Sequence, residues 1–237
     1  MAATSRETFF HEIGRMPAPR VLELGTRRSD PERSTVHKGE LLSANPGVTH
    51  VGTDMEAGTD VDLVVDAHHL TERIPSASFD AFIAASVFEH LRWPWLTAIE
   101  LNVVLRVGGI GYVQSHHSFP LHGYPDDYWR FSTEAWGALF CRETGWELVQ
   151  ADYAFPCRIE PHDPQPVWPL PHTAYLNSHC LVRKLADVPP GRFRWPVERT
   201  ADVRPSHYDQ WWYAFYRPFA TFIPARLRRA ARIAYEE

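Results

Sequence analysis

Cysteine is scarce in this chain. Among 237 residues there are three, Cys141, Cys157 and Cys180, too few and too far apart for a disulfide framework or a cysteine-based zinc site. Three reduced thiols in a cytoplasmic protein are expected instead. Long apolar runs are also missing, and none is long enough to span a bilayer. The opening Met-Ala-Ala-Thr-Ser-Arg-Glu has no basic start followed by an apolar core, so no secretory signal is read there. Positive charge is in deficit: 24 Lys and Arg face 29 Asp and Glu, a net charge of -5, which argues against general nucleic-acid binding. The deficit is uneven. Residues 188–237 carry nine Arg against five acids, a local +4, leaving -9 for the remainder. Glycine is sparse where a dinucleotide fold needs it, because Gly25 is followed only by the distant Gly39. That gap disfavours a nicotinamide-using enzyme, which needs three closely spaced glycines to seat a pyrophosphate.

What is present is an alternation of strand-like and helix-like segments. Thr8–Met16 reads as a short helix ended by Pro17 and Pro19. Val21–Leu24, Thr49–Asp54, Asp62–Asp66 and Phe79–Ala85 read as strands, the last a near-continuous apolar run of the kind covered on both faces. A helix is expected over Val36–Ala44. Another is expected over Pro94–Leu105, with proline in its first turn and Gly108-Gly109 as its stop. Ile110–Ser115 reads as a fifth strand. Ser132 or Thr133 can cap a helix bearing Trp136, Leu139 and Phe140, and Trp146–Tyr153 with Ala174–Lys184 read as a closing strand pair. The order predicts an α/β fold: a Rossmann-like, mostly parallel seven-stranded sheet with an antiparallel edge strand, helices on both faces, and a C-terminal helical extension.

Each apolar run ends in a small or acidic residue, where an open parallel sheet places its ligands. The marks are Val21-Leu-Glu-Leu-Gly25, Val51-Gly-Thr-Asp54, Val64-Val-Asp66-Ala-His68, Phe79 through Glu89-His90-Leu91, and Leu105-Arg-Val-Gly108-Gly109. In order and spacing they resemble the class I S-adenosylmethionine-dependent methyltransferases over roughly the first 185 residues. A subset of bacterial methyltransferases is more similar still, with a Leu-Gly-Ser/Thr-Arg first motif, an aspartate-rich second strand and an Asp-Ala-His third motif. The family usually carries two or three clustered glycines in its first motif. Here Thr26-Arg27-Arg28-Ser29-Asp30 follows Gly25, and the long interval to Asp54 implies an inserted loop.

The resemblance implies S-adenosyl-L-methionine as cofactor. Gly25 lets the backbone approach a ligand, with Glu23 and Thr26 beside it. Arg27 is then read as a clamp for the methionine carboxylate, and Asp54, with Met55 next to it, as the acceptor of both ribose hydroxyls. Asp66, Ala67 and His68 suit the adenine amine, and Ser86 to Glu89 form its wall.

On the acceptor side, a positioned histidine can remove a hydroxyl proton. His116 or His117, at the fifth strand end, is the first expectation for this base, and His90 is the second, since Glu-His-Leu at that point is common in the resembling family. His122, Tyr124, Asp127 and Arg130 follow on the same loop as acceptor-binding candidates, with Asp127 and Arg130 paired across it. His117, His122, Asp126 and Asp127 also carry the ligand atoms a divalent metal needs. Their spacing matches no strict metal motif, so a metal-free, hydrogen-bonded cluster is expected and a metal is the alternative. Glu160, His162 and Asp163 form a further polar run read as exposed loop.

The reading divides the chain at residue 187. Residues 1–187 form the methyltransferase-like domain, and 188–237 a Pro- and Arg-rich linker with an aromatic, basic helix. His207–Phe222 packs eight aromatics into sixteen residues. That composition suits a homodimer interface or docking on the parent domain better than a membrane surface or a nucleic acid. The expected function is methyl transfer to a small molecule, a sugar or secondary-metabolite hydroxyl. The alternatives are a methyltransferase-like scaffold that has lost transfer, and metal-dependent chemistry other than methylation.

Overall fold

A capping box starts the first helix. The Thr4 hydroxyl accepts from Glu7 N (3.2 Å) and Glu7 Oε2 accepts from Thr4 N (2.8 Å), so α1 covers Ser5–Arg15 and begins earlier than its apolar spacing alone predicts. The computed structural model describes residues 3–28, 36–123, 126–160, 162–163, 172–189 and 192–193. Tyr124 and the whole aromatic C-terminal segment lie outside the described residues.

After α1 come β1 (Arg20–Leu24), α2 (Lys38–Ala44), β2 (Thr49–Asp54), β3 (Leu63–Val64), β4 (Phe79–Ala85), α3 (Pro94–Val104), β5 (Leu105–His116), α4 (Thr133–Leu139), β6 (Trp146–Ile159) and β7 (His172–Lys184). They build one seven-stranded sheet of order β3-β2-β1-β4-β5-β7-β6. The neighbours from β3 to β5 pair in parallel, and β7 runs antiparallel to both β5 and β6. The expected antiparallel edge is therefore the β6–β7 hairpin. The expected third strand is shorter than read, Leu63–Val64, because Asp66 turns the chain into a 3₁₀ segment by accepting from His68 N.

Gly108-Gly109 does not stop a helix, as the sequence suggested. α3 ends at Val104 and β5 begins at once. The register passes from Phe79–Leu105 directly to Ala81–Ile110, so Arg106–Gly109 bulge out opposite Asp80. Gly108 takes φ +85° there, a conformation glycine adopts without a Cβ penalty, and Arg106 pairs with the Asp80 carboxylate.

Both sheet faces are covered. Phe9, Ile13 and Leu41 of α1 and α2 pack on Val21, Ala81, Ile83, Ile110 and Tyr112. On the other face Ala98, Leu101, Val104 and Trp136 of α3 and α4 pack on Leu22, Leu24, Phe82, Ala84 and Val113. The second layer is aromatic. Phe131 stacks on Trp136 at 4.5 Å, and the indole N–H groups of Trp136 and Trp146 are satisfied by Ser178 Oγ and Ala98 O. Burial of each such ring is worth about 1.5–3 kcal/mol. This core matters for function because Phe131 N also donates to His116 O (2.8 Å), which ties the far end of the 117–131 loop to the end of β5.

Candidate functional site

The parallel strands bring the ends of β1, β2, β4 and β5 to one rim of the sheet. At β1 the chain turns at Gly25, φ +72°. A Cβ there would lie 2.5 Å from Val87 Cγ2, so the loop after β4 can close onto the β1 turn only over a glycine. Gly25 N and Thr26 N both donate to Thr53 O (2.8 and 3.1 Å), and Thr26 is buried. The Asp54 carboxylate accepts from Arg27 N at 3.2 Å and from Glu56 N at 3.1 Å. A carboxylate has about four acceptor positions, so two backbone bonds leave room for a diol. The Arg27 guanidinium meets Glu56 Oε2 at 2.5 Å, a carboxylate partner the sequence reading did not foresee. Met55 follows Asp54 directly at this rim.

Glu23 sits differently from the expectation that grouped it with the cofactor residues. It is 2% exposed. Its two oxygens meet His37 Nδ1 (2.8 Å) and His50 Nε2 (2.7 Å), and His37 N donates to both. Burial pushes its carboxyl up, but the bonds from His37 and His50 outweigh this and hold it below the ordinary glutamate value. It follows Val21 on the α1–α2 face by the two-residue period of a strand.

Asp66 is also engaged. Its Oδ1 takes the N–H and Nδ1 of His68 (2.9 and 2.7 Å), and His68 Nε2 accepts from Trp93 N at 3.2 Å. The chain Asp66–His68–Trp93 ties the segment holding Ala67 to the loop after β4 and fixes the His68 proton on Nδ1. Burial raises the Asp66 pKa, and the His68 bonds more than reverse that.

The second group lies past β4 and β5. Just past β4 comes Ser86, whose φ of +56° is unusual for a residue with a Cβ. Glu89 follows, fully buried at 0% exposure. Its Oε2 accepts from Ser115 Oγ at 2.6 Å, and its backbone oxygen from Tyr128 N and Trp129 N. Its Oε1 makes no hydrogen bond among the described residues, although His116 Nε2 is 3.2 Å away. His116 Nδ1 bonds Asn177 Oδ1 (3.0 Å), and its Nε2 lies 3.1 Å from His122 Nε2. Phe119 stacks on the His116 ring at 4.0 Å. On the far side of His122, ligand atoms of His90, His122 and Asp127 lie within 4.8 Å of one another, and His90 Nδ1 bonds Asp126 O at 2.7 Å. Burial lowers the His122 pKa, as do the neighbouring His90 and His116, so that ring favours its neutral form.

Of the expected acceptor-side residues, His90, His116, His122, Asp127 and Arg130 come together. Arg130 grips Asp127 as expected, Nη1 to Oδ1 at 2.6 Å and Nη2 to Oδ2 at 2.8 Å. His117 does not join them. Its Nδ1 bonds Phe131 O and its ring packs on Tyr153, because successive side chains of a strand point to opposite faces. The Asp126 carboxylate also turns away, to the Tyr128 hydroxyl at 2.7 Å. The alternative metal set His117, His122, Asp126 and Asp127 therefore does not gather; the ligand atoms that do come near one another are those of Glu89, His116 and His122, and of His90, His122 and Asp127. Asn177 and Ser115 were not singled out from sequence; the signal for Asn177 was a polar Asn-Ser-His run inside the otherwise apolar last strand. His162 and Asp163 are exposed, their side chains 77% and 85% accessible. No helix among the described residues is long and apolar enough to cross a membrane.

No protein-family model matches the chain, and no curated protein matches it. Solved structures do. A SAM-dependent methyltransferase from Archaeoglobus fulgidus is similar at 15% identity and TM-score 0.53, over 76% of this chain and 95% of that one. A SAM-dependent methyltransferase from Aquifex aeolicus gives 12% and 0.52, over 77% and 90%. The 1,6-didemethyltoxoflavin-N1-methyltransferase of Burkholderia thailandensis, solved with its acceptor and S-adenosylhomocysteine, gives 14% and 0.51, over 76% of both chains. The chain has the Rossmann-like fold of the SAM-dependent methyltransferases.

Proposed function

We propose that the protein is an S-adenosylmethionine-dependent methyltransferase that acts on a small molecule through a hydroxyl, of the sugar or secondary-metabolite kind. The observation that carries this reading is the pairing of the Gly25 turn with the Asp54 carboxylate at adjoining strand ends, inside the sheet order β3-β2-β1-β4-β5-β7-β6. In this assignment the backbone at Gly25 and Thr26 faces the methionine end, Asp54 holds the ribose diol, and the loop from Ser86 walls the adenine. Arg27 reaches the methionine carboxylate only by giving up Glu56. Methyl transfer is an in-line displacement at a sulfonium carbon, so most of the rate comes from holding donor and acceptor in line. Glu89, His116 and His122 supply what a hydroxyl acceptor needs besides alignment: a place for its proton to go.

The same reading assigns residues 1–187 to the transferase domain. Residues 188–237 become a C-terminal extension, proposed to serve a homodimer contact. The test is incubation with methyl-labelled S-adenosylmethionine and a panel of sugar, catechol and polyketide hydroxyls. Label should pass to at least one class, and should not when His116 is replaced. Cofactor binding without transfer to any hydroxyl or amine would support a scaffold instead.

A further inference from the structure

Three potential ligand atoms converge beyond β4 and β5. Glu89 Oε1 is 3.2 Å from His116 Nε2, His116 Nε2 is 3.1 Å from His122 Nε2, and the three ligand atoms all fall within 4.8 Å of one another. The outer contacts bear on which atoms carry hydrogen. His116 Nδ1 faces Asn177 Oδ1 at 3.0 Å, and His122 Nδ1 faces Asp127 Oδ2 at 3.4 Å. Asn177 Oδ1 can only accept, so His116 carries its hydrogen on Nδ1 and turns the Nε2 lone pair inward; His122 Nδ1 makes no hydrogen bond among the described residues, and its Nε2 faces the same point. Glu89 Oε1 adds a carboxylate oxygen that is buried and makes no hydrogen bond. A lone pair, a second ring nitrogen and a carboxylate oxygen at these separations call for a proton or a cation among them.

We propose that Glu89, His116 and His122 bind one divalent first-row transition ion of the zinc, iron or cobalt class. Ligands about 2.0–2.2 Å from a tetrahedral ion stand roughly 3.4 Å apart, close to the two separations observed. Two imidazoles and one carboxylate favour such ions over magnesium or calcium, which prefer all-oxygen sets. Two of the ligands are held from behind as metal ligands are, His116 by Asn177 and Glu89 by Ser115 Oγ at 2.6 Å, and Asp127 fixes His122 through its backbone N–H at 2.8 Å. The neighbouring group of His90, His122 and Asp127 is the poorer choice, because both Asp127 oxygens are already bonded to Arg130, whose charge would oppose a dication. His122 is 27% exposed in its side chain, which gives the ion an entry path and an open coordination position. With the ion held, these three groups would no longer take the acceptor's proton themselves; the ion would lower that hydroxyl's pKa and the proton would leave to solvent. The site itself rests on the geometry and stands whether or not the chain transfers methyl groups.

The test is binding of the metal alone to the full chain. Protein freed of metal by chelator is titrated with Co²⁺ and followed by its visible absorption, then with Zn²⁺ in competition. One ion per chain is expected, with the spectrum of a four- or five-coordinate site. His116→Gln and His122→Gln should each abolish the tight phase. Asn177→Ala, which only frees the His116 ring, should weaken binding by about 10–100-fold, and His117→Gln should leave it unchanged. Circular dichroism establishes that each variant is folded, and Asn177→Ala carries the test if a ligand variant is not. Folded wild-type protein with no stoichiometric site overturns the proposal. So does binding that survives His116→Gln and His122→Gln, or an imidazolium proton found between the two rings by nitrogen NMR in the presence of metal.

Discussion

Arg130 and Asp127 face each other through two parallel hydrogen bonds, 2.6 and 2.8 Å long, and the same carboxylate takes His122 N at 2.8 Å. Burial pushes the Asp127 carboxyl up, but Arg130 and the His122 amide hold it well below the usual carboxylate range. A group depressed in the folded state contributes stability that is present above its unfolded value, about 3.9, and is lost as pH falls through the folded one. The contribution is therefore complete at neutral pH. Asp127→Ala should lower stability by about 1.5–3 kcal/mol and release His122 N–H to hydrogen exchange. Arg130→Lys should recover little, since one ammonium cannot form the parallel pair. Protection of His122 unchanged in Asp127→Ala, which removes the acceptor, would refute the arrangement.

Gly25 and Val87 make a second testable pair. An alanine at 25 must adopt φ +72° and place its Cβ 2.5 Å from Val87 Cγ2. The backbone alone costs about 1–2 kcal/mol, and the clash adds to it. Urea denaturation of Gly25→Ala, Val87→Ala and the double variant should show the double variant less destabilised than the sum of the singles. Strict additivity would mean the two loops do not touch.

His179 gives a pH signature. Its ring is buried, and burial, opposed by Asp152, lowers its pKa from the usual 6.5. The unfolded chain then takes up the proton first as pH falls, so stability should begin to decline near pH 6.5 and continue through the lower folded value. His179→Gln should flatten that part of the profile. A Gln variant with the same slope between pH 7 and 5 would assign the decline to other groups.

The acceptor side separates two adjacent histidines. His116→Ala should cut turnover with cofactor affinity intact, the sign of a group acting on the reaction rather than on cofactor binding. His117→Ala should leave turnover near wild type, because its ring is turned to Phe131 O and Tyr153. Equal loss in both would place His117 in the site after all.

These two residues also mark where sequence stops informing. The strand ends, and with them the places of Gly25, Asp54 and His116, were legible because apolar runs close on polar residues at one rim; Glu89 was read as adenine wall, yet it is buried against Ser115 and beside His116. Which of two neighbouring histidines enters the site depends on strand register, and a one-residue difference flips the face. Glu89 and His116 meet because β4 and β5 are parallel neighbours, and Asn177 reaches His116 because β7 is antiparallel and in register with it. Those are long-range pairings without a local signal. Gly108-Gly109 read as a helix stop by composition, yet they sit in a bulge opposite Asp80. Glu23 read as a motif residue, yet two histidines distant in sequence claim its carboxylate.

The central claim is that the rim of β1 and β2 binds S-adenosylmethionine through Asp54. Calorimetric titration of the intact chain with S-adenosylmethionine and with S-adenosylhomocysteine, repeated on Asp54→Ala, tests it most directly. One site per chain is predicted for both ligands in the wild type, weakened by about 1–3 kcal/mol in the variant. A folded wild-type chain that binds neither ligand, or an Asp54→Ala variant that binds both as tightly, would contradict it.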